Sequence, residues 1–349
     1  MKKKYEIIKK KNFSKQRLSG IIFTRAFCSL GIVIFHFFCH SKRKLIFLMA
    51  TANSSWGFMF VTTFFSISGT VLYYNYPKIN SIKRFYFKRW KSIFPSYYVC
   101  YIIFFIKNII IHGKIFYNGH WSRLILPLFG LGGYLKYIFN SYHLIGEWFL
   151  GAIIIIYSLY PILCWLMNKN ILLINFITIL FYPIMYLTKI FIIRPSRNIF
   201  TCINSFYLGM LGIKFNNIFF KYKVTFVISL FIFIFLSLKR IGNNILIFQI
   251  QGFALFIILV QIGDKIMKYR IKSIFIELSS LSYNIFLFHH AIIRDILDIK
   301  NPTDLNFSLM LLVIIIILII ILSKILFIIV KIILNSKYLI TIENIISSF

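Results

Sequence analysis

Two polar residues, Arg25 and His36, interrupt an apolar stretch of membrane length that begins near Gly20. They are eleven positions apart, which is about three turns of an α-helix, so they share one face about 16 Å apart along the helix axis. A charged side chain inside a membrane-spanning helix is costly unless it is paired, reaches the interface or faces a wet cavity. The spacing therefore predicts a helix that directs both side chains at a functional site.

The chemistry of these two side chains suits transfer reactions. His36 can act as a general base because an unperturbed imidazole has a pKa of about 6.5, or it can carry a group covalently; the alternative is an interfacial histidine at a helix end. Arg25 has the planar fork of donors that matches phosphate. The alternative for Arg25 is a side chain that extends to the inner headgroups.

The composition requires a membrane protein. Of the 349 residues, 60% are hydrophobic and 19% aromatic, with a mean hydropathy of +0.84. The net charge of +32 comes from Lys and Arg that lie mainly in short gaps between apolar runs. Such a pattern follows the positive-inside rule rather than nucleic-acid binding. We predict an all-α, polytopic integral membrane protein in contact with the lipid bilayer, with no nucleic-acid partner.

The apolar runs predict about ten membrane-spanning helices. They lie at 20–39, 56–75, 94–112, 146–167, 171–190, 199–213, 224–238, 245–262, 275–293 and 306–330. Lys and Arg are concentrated in alternate gaps, which places the N-terminus in the cytoplasm. The predicted organisation is a basic cytoplasmic tail at 1–19, a membrane domain at 20–334 and a short C-terminal tail at 335–349.

The gap before the third span, at about 78–94, alternates basic and aromatic residues with a helical period. This alternation is typical of an interfacial helix on the inner leaflet. Its basic residues, which include Arg89 and Lys91, can attract the phosphates of a coenzyme or anchor the helix to anionic lipid.

All seven histidines fall at outer helix ends or in outer segments under this orientation, which indicates proton chemistry near the outer surface. They are His36, His40, His112, His120, His143, His289 and His290. Glu147 opens the fourth span on the same side and can orient a histidine; the alternative is an acid favoured by the helix dipole. The five cysteines show no metal or redox spacing, so we predict no metal site.

Four segments, in this order, resemble motifs of the acyltransferase-3 family of integral membrane acyltransferases. They are Arg25 with His36; Phe64–Gly69 with Phe85–Arg89 and Pro95–Tyr98; Glu147–Leu150 with Tyr157–Pro161; and Leu281–His289. Ser92 stands where the family usually has a base.

The resemblance implies transfer of an acyl group, usually acetyl, from cytoplasmic acyl-CoA to a hydroxyl of a surface polysaccharide or lipid-linked sugar at the outer face of a bacterial cell membrane. Acetyl-CoA is then a co-substrate, and no resident cofactor is expected. The resemblance implies His36 and Glu147 as catalytic residues and His289 as an acceptor-binding or second catalytic histidine. With acyl-CoA as the donor, Arg25 is the candidate to bind its phosphate or pantetheine carbonyl, and Arg89 and Lys91 are candidates to attract its phosphates.

Two other classes of polytopic protein compete with this interpretation. A transporter or flippase of glycan precursors would favour an inverted repeat and helices broken by Gly or Pro in two halves, and neither pattern is present. A glycan polymerase would carry a large polar outer loop rich in Arg, whereas 113–145 is short and semi-apolar. The sequence leaves the oligomeric state open.

Overall fold

A computed structural model describes residues 2–116, 119–145, 148–188, 195–242, 244–336 and 341 of the chain. In these residues it has thirteen α-helices and no β-strand, which confirms the all-α class. The helices are α1 (Lys2–His40), α2 (Ile46–Met49), α3 (Trp56–Asn75), α4 (Ile82–His112), α5 (Ile125–Leu128), α6 (Gly132–Leu135), α7 (Trp148–Lys169), α8 (Ile171–Thr188), α9 (Ile199–Lys214), α10 (Lys223–Leu238), α11 (Ile245–Ile266), α12 (Lys272–Ile299) and α13 (Leu305–Leu334).

In the part of the chain that the structure describes, six helices are long and apolar enough to cross a membrane, namely α1 over Ser19–His40, α3, α4, α7, α11 and α13. The spans predicted at 171–190, 199–213 and 224–238 correspond to α8, α9 and α10, whose apolar parts are shorter. The predicted span at 275–293 lies within α12, which carries more polar residues than the six. The membrane class is thus confirmed, whereas the count of ten spans and the cytoplasmic N-terminus stay predictions.

The basic segment predicted at about 78–94 forms the beginning of α4 and continues directly into the third predicted span. Ser81 caps this helix, because its side chain accepts a hydrogen bond from the N–H of Arg84 at 3.3 Å. Pro95 lies inside the helix, and Gly113, at φ +66°, ends it. That the first turns of α4 lie along the membrane surface stays a prediction.

The chain divides into two compact units. Unit 1 consists of 1–75, 204–282 and 302–312, and unit 2 consists of 76–203, 283–301 and 313–349. Helices α1, α3, α10 and α11 belong to unit 1, and α4 to α8 belong to unit 2, while α9, α12 and α13 contribute residues to both.

In unit 1, α1 packs against α3 and α11. Small residues allow this approach: a Cβ added at Gly31 would collide with the ring of Phe60, and one added at Gly252 would collide with Thr62. Gly20 donates its N–H to Oδ1 of Asp264 at 2.9 Å, which fixes the beginning of the predicted first span against the end of α11.

Helices α3 and α9 cross at backbone contact. A Cβ added at Gly69 would collide with the carbonyl oxygen of Phe206, and one added at Gly209 would collide with the carbonyl oxygen of Ser66. Thr70 Oγ1 donates a hydrogen bond to the Gly209 carbonyl oxygen at 2.8 Å. This is the close packing of small residues that is common between membrane helices, and it explains structurally why Gly stands at position 69.

In unit 2, α7 packs against α4, α6 and α8. The connection at 119–145 contains α5 and α6 and is held by tyrosines of α4. The Tyr97 hydroxyl donates to the Pro127 carbonyl oxygen at 2.8 Å, and the Tyr101 hydroxyl donates to the Tyr142 carbonyl oxygen at 2.7 Å. Both tyrosines are buried, so these hydrogen bonds anchor the connection to α4.

Candidate active site

Arg25 and His36 both lie on α1, within unit 1 and on one uninterrupted helix. Each side chain is half-buried, whereas the neighbouring Ala26 and Phe37 are fully buried. Eleven residues of α-helix complete about three turns, so the two polar side chains share a face as the sequence predicted.

His36 lies among aromatic side chains near the C-terminal end of α1. The rings of Phe35 and His36 are 5.1 Å apart between centroids and form an edge contact at 72°. Phe35 also packs against Gly57 at the beginning of α3, where any Cβ would collide with the Phe35 ring. The contact with α3 therefore fixes the helix on which His36 is carried.

A second imidazole follows His36 one turn later. The His36 and His40 rings are stacked, with centroids 6.3 Å apart and an interplanar angle of 18°. His40 is exposed while His36 is half-buried. The two imidazoles therefore lie side by side at the C-terminal end of α1.

Arg89 lies on α4 in unit 2, between two tyrosine rings. Its Cζ is 5.4 Å from the ring centroid of Tyr76 and 5.9 Å from that of Tyr157. The Tyr160 hydroxyl donates to the Tyr76 carbonyl oxygen at 2.7 Å, and the Tyr160 ring stacks on Phe85 at 5.4 Å. These aromatic contacts hold the guanidinium in place through cation–π attraction.

The guanidinium of Arg89 is suited to receive an anion. Its Nε is buried and, among the residues that the structure describes, has no hydrogen-bond partner. An unsatisfied buried donor is unfavourable, and a phosphate oxygen is the strongest acceptor for an arginine. Lys91, two residues further along α4, is half-buried and adds a second positive charge on this helix.

His289 lies on the part of α12 that belongs to unit 2, and it is buried. Its Nδ1 is 2.7 Å from the Phe286 carbonyl oxygen. A carbonyl oxygen can only accept, so Nδ1 carries the proton and the neutral ring has its lone pair on Nε2.

Glu147, the predicted catalytic partner of a histidine, lies outside the described residues. Phe149, two residues after Glu147, contacts another motif segment. Its ring centroid is 5.2 Å from that of Phe286, which lies three residues before His289. The Tyr283 hydroxyl donates to the Ile93 carbonyl oxygen at 3.2 Å. Unit 2 therefore brings Phe85–Arg89, Glu147–Leu150 with Tyr157–Pro161, and the part of Leu281–His289 that it contains into contact on α4, α7 and α12.

A sequence model of the acyltransferase-3 family, described as an acyltransferase domain, matches residues 18–329. This range includes all four motif segments and, among the described residues, five of the six helices that are long and apolar enough to cross a membrane, together with α13 as far as residue 329, which defines a membrane acyltransferase. The chain belongs to the acyltransferase-3 family. No curated protein and no solved structure matches it.

Sequence reasoning missed the tyrosines around Arg89. Tyr157 is part of a motif segment, and Tyr76 directly follows unit 1, but nothing in their local sequence places either ring beside a guanidinium. The only available signal is the aromatic content of the Phe85–Arg89 and Tyr157–Pro161 segments. Sequence reasoning also missed that Lys136 lies beside the ring of Tyr137 and Arg197 beside the ring of Trp148 in unit 2.

Proposed function

We propose that this protein is a membrane O-acyltransferase, and that it moves an acetyl group from cytoplasmic acetyl-CoA to a hydroxyl of a surface polysaccharide or lipid-linked sugar at the outer face of a bacterial cell membrane. The observation that carries the proposal is the family match over 18–329 together with the placement of Arg25 and His36 on one helix. Acyl-CoA is a co-substrate rather than a resident cofactor.

The proposed reaction begins at His36, which takes the proton of the acceptor hydroxyl. The hydroxyl oxygen attacks the thioester carbonyl, the carbon–oxygen bond of the new ester forms, and the carbon–sulfur bond breaks. The proton held by His36 passes to the departing thiolate and yields free CoA. In a two-step route, the imidazole nitrogen first accepts the acyl group and then passes it to the hydroxyl oxygen. The bonds formed and broken overall are the same as in the direct route.

The donor would be held by the arginines. Arg25 on α1 would bind a phosphate or the pantetheine carbonyl of CoA. Arg89 on α4 would bind a phosphate of the same donor. Two observations support this: its buried Nε lacks a partner among the described residues, and its guanidinium is held by Tyr76 and Tyr157. Lys91 would contribute charge to the same ligand.

The acceptor side of the reaction would involve His289 and Glu147. His289 supports this role because its Nδ1 faces the Phe286 carbonyl oxygen, which leaves Nε2 as the acceptor nitrogen. Glu147 would orient a histidine or balance its charge as the imidazole becomes protonated. Both residues fall in segments that match the family.

The deciding experiment replaces His36 by Ala in the cells from which the chain derives. Surface polysaccharide is isolated from cells with the gene intact, deleted, and restored as His36→Ala. We expect ester-linked acetyl signals in the proton NMR spectrum, removable by mild alkali, in the first strain alone. The loss of a general base lowers the rate by about a hundredfold or more, which is below detection in this assay.

The matched control is His112→Ala, because His112 is an exposed histidine at the end of α4. We expect full acetylation in that strain. Acetyl signals that persist with His36→Ala but vanish on deletion would refute His36 as the base. Signals that persist on deletion would refute the polysaccharide acceptor.

A further inference from the structure

We propose that unit 2 carries a binding site for the negatively charged group of an acidic saccharide, formed by Lys136, Arg197 and Arg294 with the rings of Tyr137 and Trp148. We call this set the basic–aromatic cluster. The inference rests on the proposed function, since it assigns the class of acceptor: a glycan that carries carboxylate or phosphate groups.

Tyr137 links two of the cations. Arg197 Nη1 donates a hydrogen bond to the Tyr137 hydroxyl at 2.8 Å, and Lys136 Nζ is 5.4 Å from the Tyr137 ring centroid. Arg197 Cζ also lies 5.2 Å from the Trp148 ring centroid. One guanidinium thus joins the connection after α6 to the beginning of α7, through the Tyr137 hydroxyl and the Trp148 ring.

His143 links Lys136 to the third cation. Partial covering of its imidazole, and then the charges of Lys136 and Arg294, lower the pKa of His143, while its contact with the Ser141 carbonyl oxygen opposes this shift. Both cations are therefore close enough to act on the same ring. The hydrogen bond and ring contacts join the connection to the turn before α9 and to the beginning of α7, and Arg294 on α12 is near enough to His143 for its charge to act on that ring.

The protein holds this surface in shape before any ligand arrives. The Ser141 hydroxyl donates to the Gly132 carbonyl oxygen at 2.8 Å, and the buried Tyr142 donates its hydroxyl to the Gly119 carbonyl oxygen at 3.0 Å. The Tyr101 hydroxyl of α4 donates a hydrogen bond to the Tyr142 carbonyl oxygen. A preorganised set of cations binds an anion with less loss of conformational entropy than free side chains do.

Nearby acids leave the cluster positive. Asp295, which follows Arg294, is paired with Lys107. Asp298, one turn beyond Arg294, is exposed and makes no ion pair with it in the part of the chain that the structure describes. The cluster therefore keeps the three positive charges of Lys136, Arg197 and Arg294.

The location and the aromatic rings favour a saccharide over a lipid headgroup. Under the predicted orientation this end of unit 2 is the outer face, where the positive-inside rule disfavours clustered Lys and Arg. Tyr and Trp offer flat apolar faces with a polar edge, which suit the C–H face of a sugar ring, while the cations bind its acidic group with charge-assisted hydrogen bonds.

The experiment measures binding of two oligosaccharides of equal length to the full chain in phosphatidylcholine nanodiscs, without an acyl donor. Hyaluronan tetrasaccharide carries carboxylates, and chitotetraose is neutral. We expect the acidic probe to bind more tightly than the neutral one, and Lys136→Gln/Arg197→Gln/Arg294→Gln to weaken its binding by at least about tenfold. A second variant, Lys136→Gln/Arg294→Gln, keeps the Arg197 contacts in case the triple variant is unstable.

The matched control is Lys268→Gln/Arg270→Gln/Lys272→Gln, which removes the same charge from exposed residues around the beginning of α12. We expect unchanged binding. Equal binding of both oligosaccharides, or equal loss in the control, would overturn the proposal. Loss of hyaluronan binding when phosphatidylglycerol is added to the nanodiscs would instead show a lipid site and overturn it too.

Because no acyl donor is present, this experiment is independent of the proposed reaction. Charge-dependent binding of the acidic probe stands even if His36→Ala leaves acetylation intact. Conversely, loss of acetylation in His36→Ala with no preference for the acidic probe would support the reaction and refute the basic–aromatic cluster as its acceptor site.

Discussion

The two units stabilise buried polar groups in different ways. In unit 1, helices approach until their backbones touch, and short side chains donate to the carbonyl oxygens of the next helix. Ser66 Oγ donates to the Ser205 carbonyl oxygen at 2.9 Å, and Gln249 Nε2 donates to Ser205 Oγ at 2.8 Å. In unit 2, long tyrosine side chains of α4 reach the carbonyl oxygens of the connection at 119–145.

This difference has consequences for what each unit can do. Backbone contact between α3 and α9 leaves no room for movement, because a Cβ at Gly69 or Gly209 would overlap a carbonyl oxygen. A tyrosine hydroxyl bond can break and reform without displacing a helix. Unit 1 is thus suited to hold α1, with Arg25 and His36, in one position, whereas unit 2 holds the connection at 119–145 in shape through separate hydrogen bonds that can be removed one at a time.

The largest effect that this comparison predicts comes from Gly209→Ala. The added Cβ would overlap the Ser66 backbone, so α3 and α9 would have to separate, at a cost of about 3 kcal/mol in the free energy of unfolding. The control is Gly212→Ala on the same helix, where the nearest atom to an added Cβ belongs to the Phe220 side chain, at 3.0 Å.

The measurement is the thermal unfolding midpoint of the purified protein in detergent. We expect a marked fall for Gly209→Ala. For Gly212→Ala we expect little change, since alanine also favours the helix by up to about 1 kcal/mol. Equal midpoints for the two variants would show that unit 1 tolerates separation of α3 and α9.

A smaller effect is expected from Tyr101→Phe in unit 2. The variant removes one hydrogen bond and leaves the Tyr142 carbonyl oxygen without its donor from α4, at a cost of about 1 kcal/mol. We expect faster proteolysis within 119–145 and a smaller change in the unfolding midpoint than for Gly209→Ala. Tyr269→Phe, at an exposed tyrosine, serves as control. A fall as large as that of Gly209→Ala would remove the distinction between the units.

Local spacing explains what the sequence could predict. Arg25 and His36 are on one helix because their separation is a property of that helix alone, and the apolar runs predicted the long helices for the same reason. The helix α4 was divided in the prediction because its composition changes near Pro95, although its backbone continues.

The remaining features depend on contacts between distant segments. Arg89 meets Tyr157 across 68 positions of sequence, and the basic–aromatic cluster draws on the connection at 119–145, the turn before α9 and the end of α12. No periodicity links such residues. A basic residue in an outer segment also has the same sequence context whether it is solvated or part of a site. Only the structure shows which side chains surround it.

The smallest predicted effect is a pH dependence of the basic–aromatic cluster. The pKa of His143 is lowered by partial covering and by the charges of Lys136 and Arg294, so without ligand the folded protein favours the neutral ring. A bound anion favours the protonated imidazole, so it raises the pKa of His143. Ligand binding is therefore coupled to uptake of a proton by His143. Acidification from about pH 7.5 to about pH 5.5 crosses the ordinary histidine pKa of about 6.5.

We therefore expect hyaluronan tetrasaccharide to bind the wild type about threefold more tightly at the lower pH, an effect of the size of an exposed ion pair. His143→Gln should remove this gain and keep the binding seen at the higher pH. The unliganded wild type should lose stability over the same range, because the unfolded state binds the proton more readily than the folded state. Weaker binding on acidification, or an equal gain in His143→Gln, would place His143 outside the cluster and make its lowered pKa a property of the connection alone.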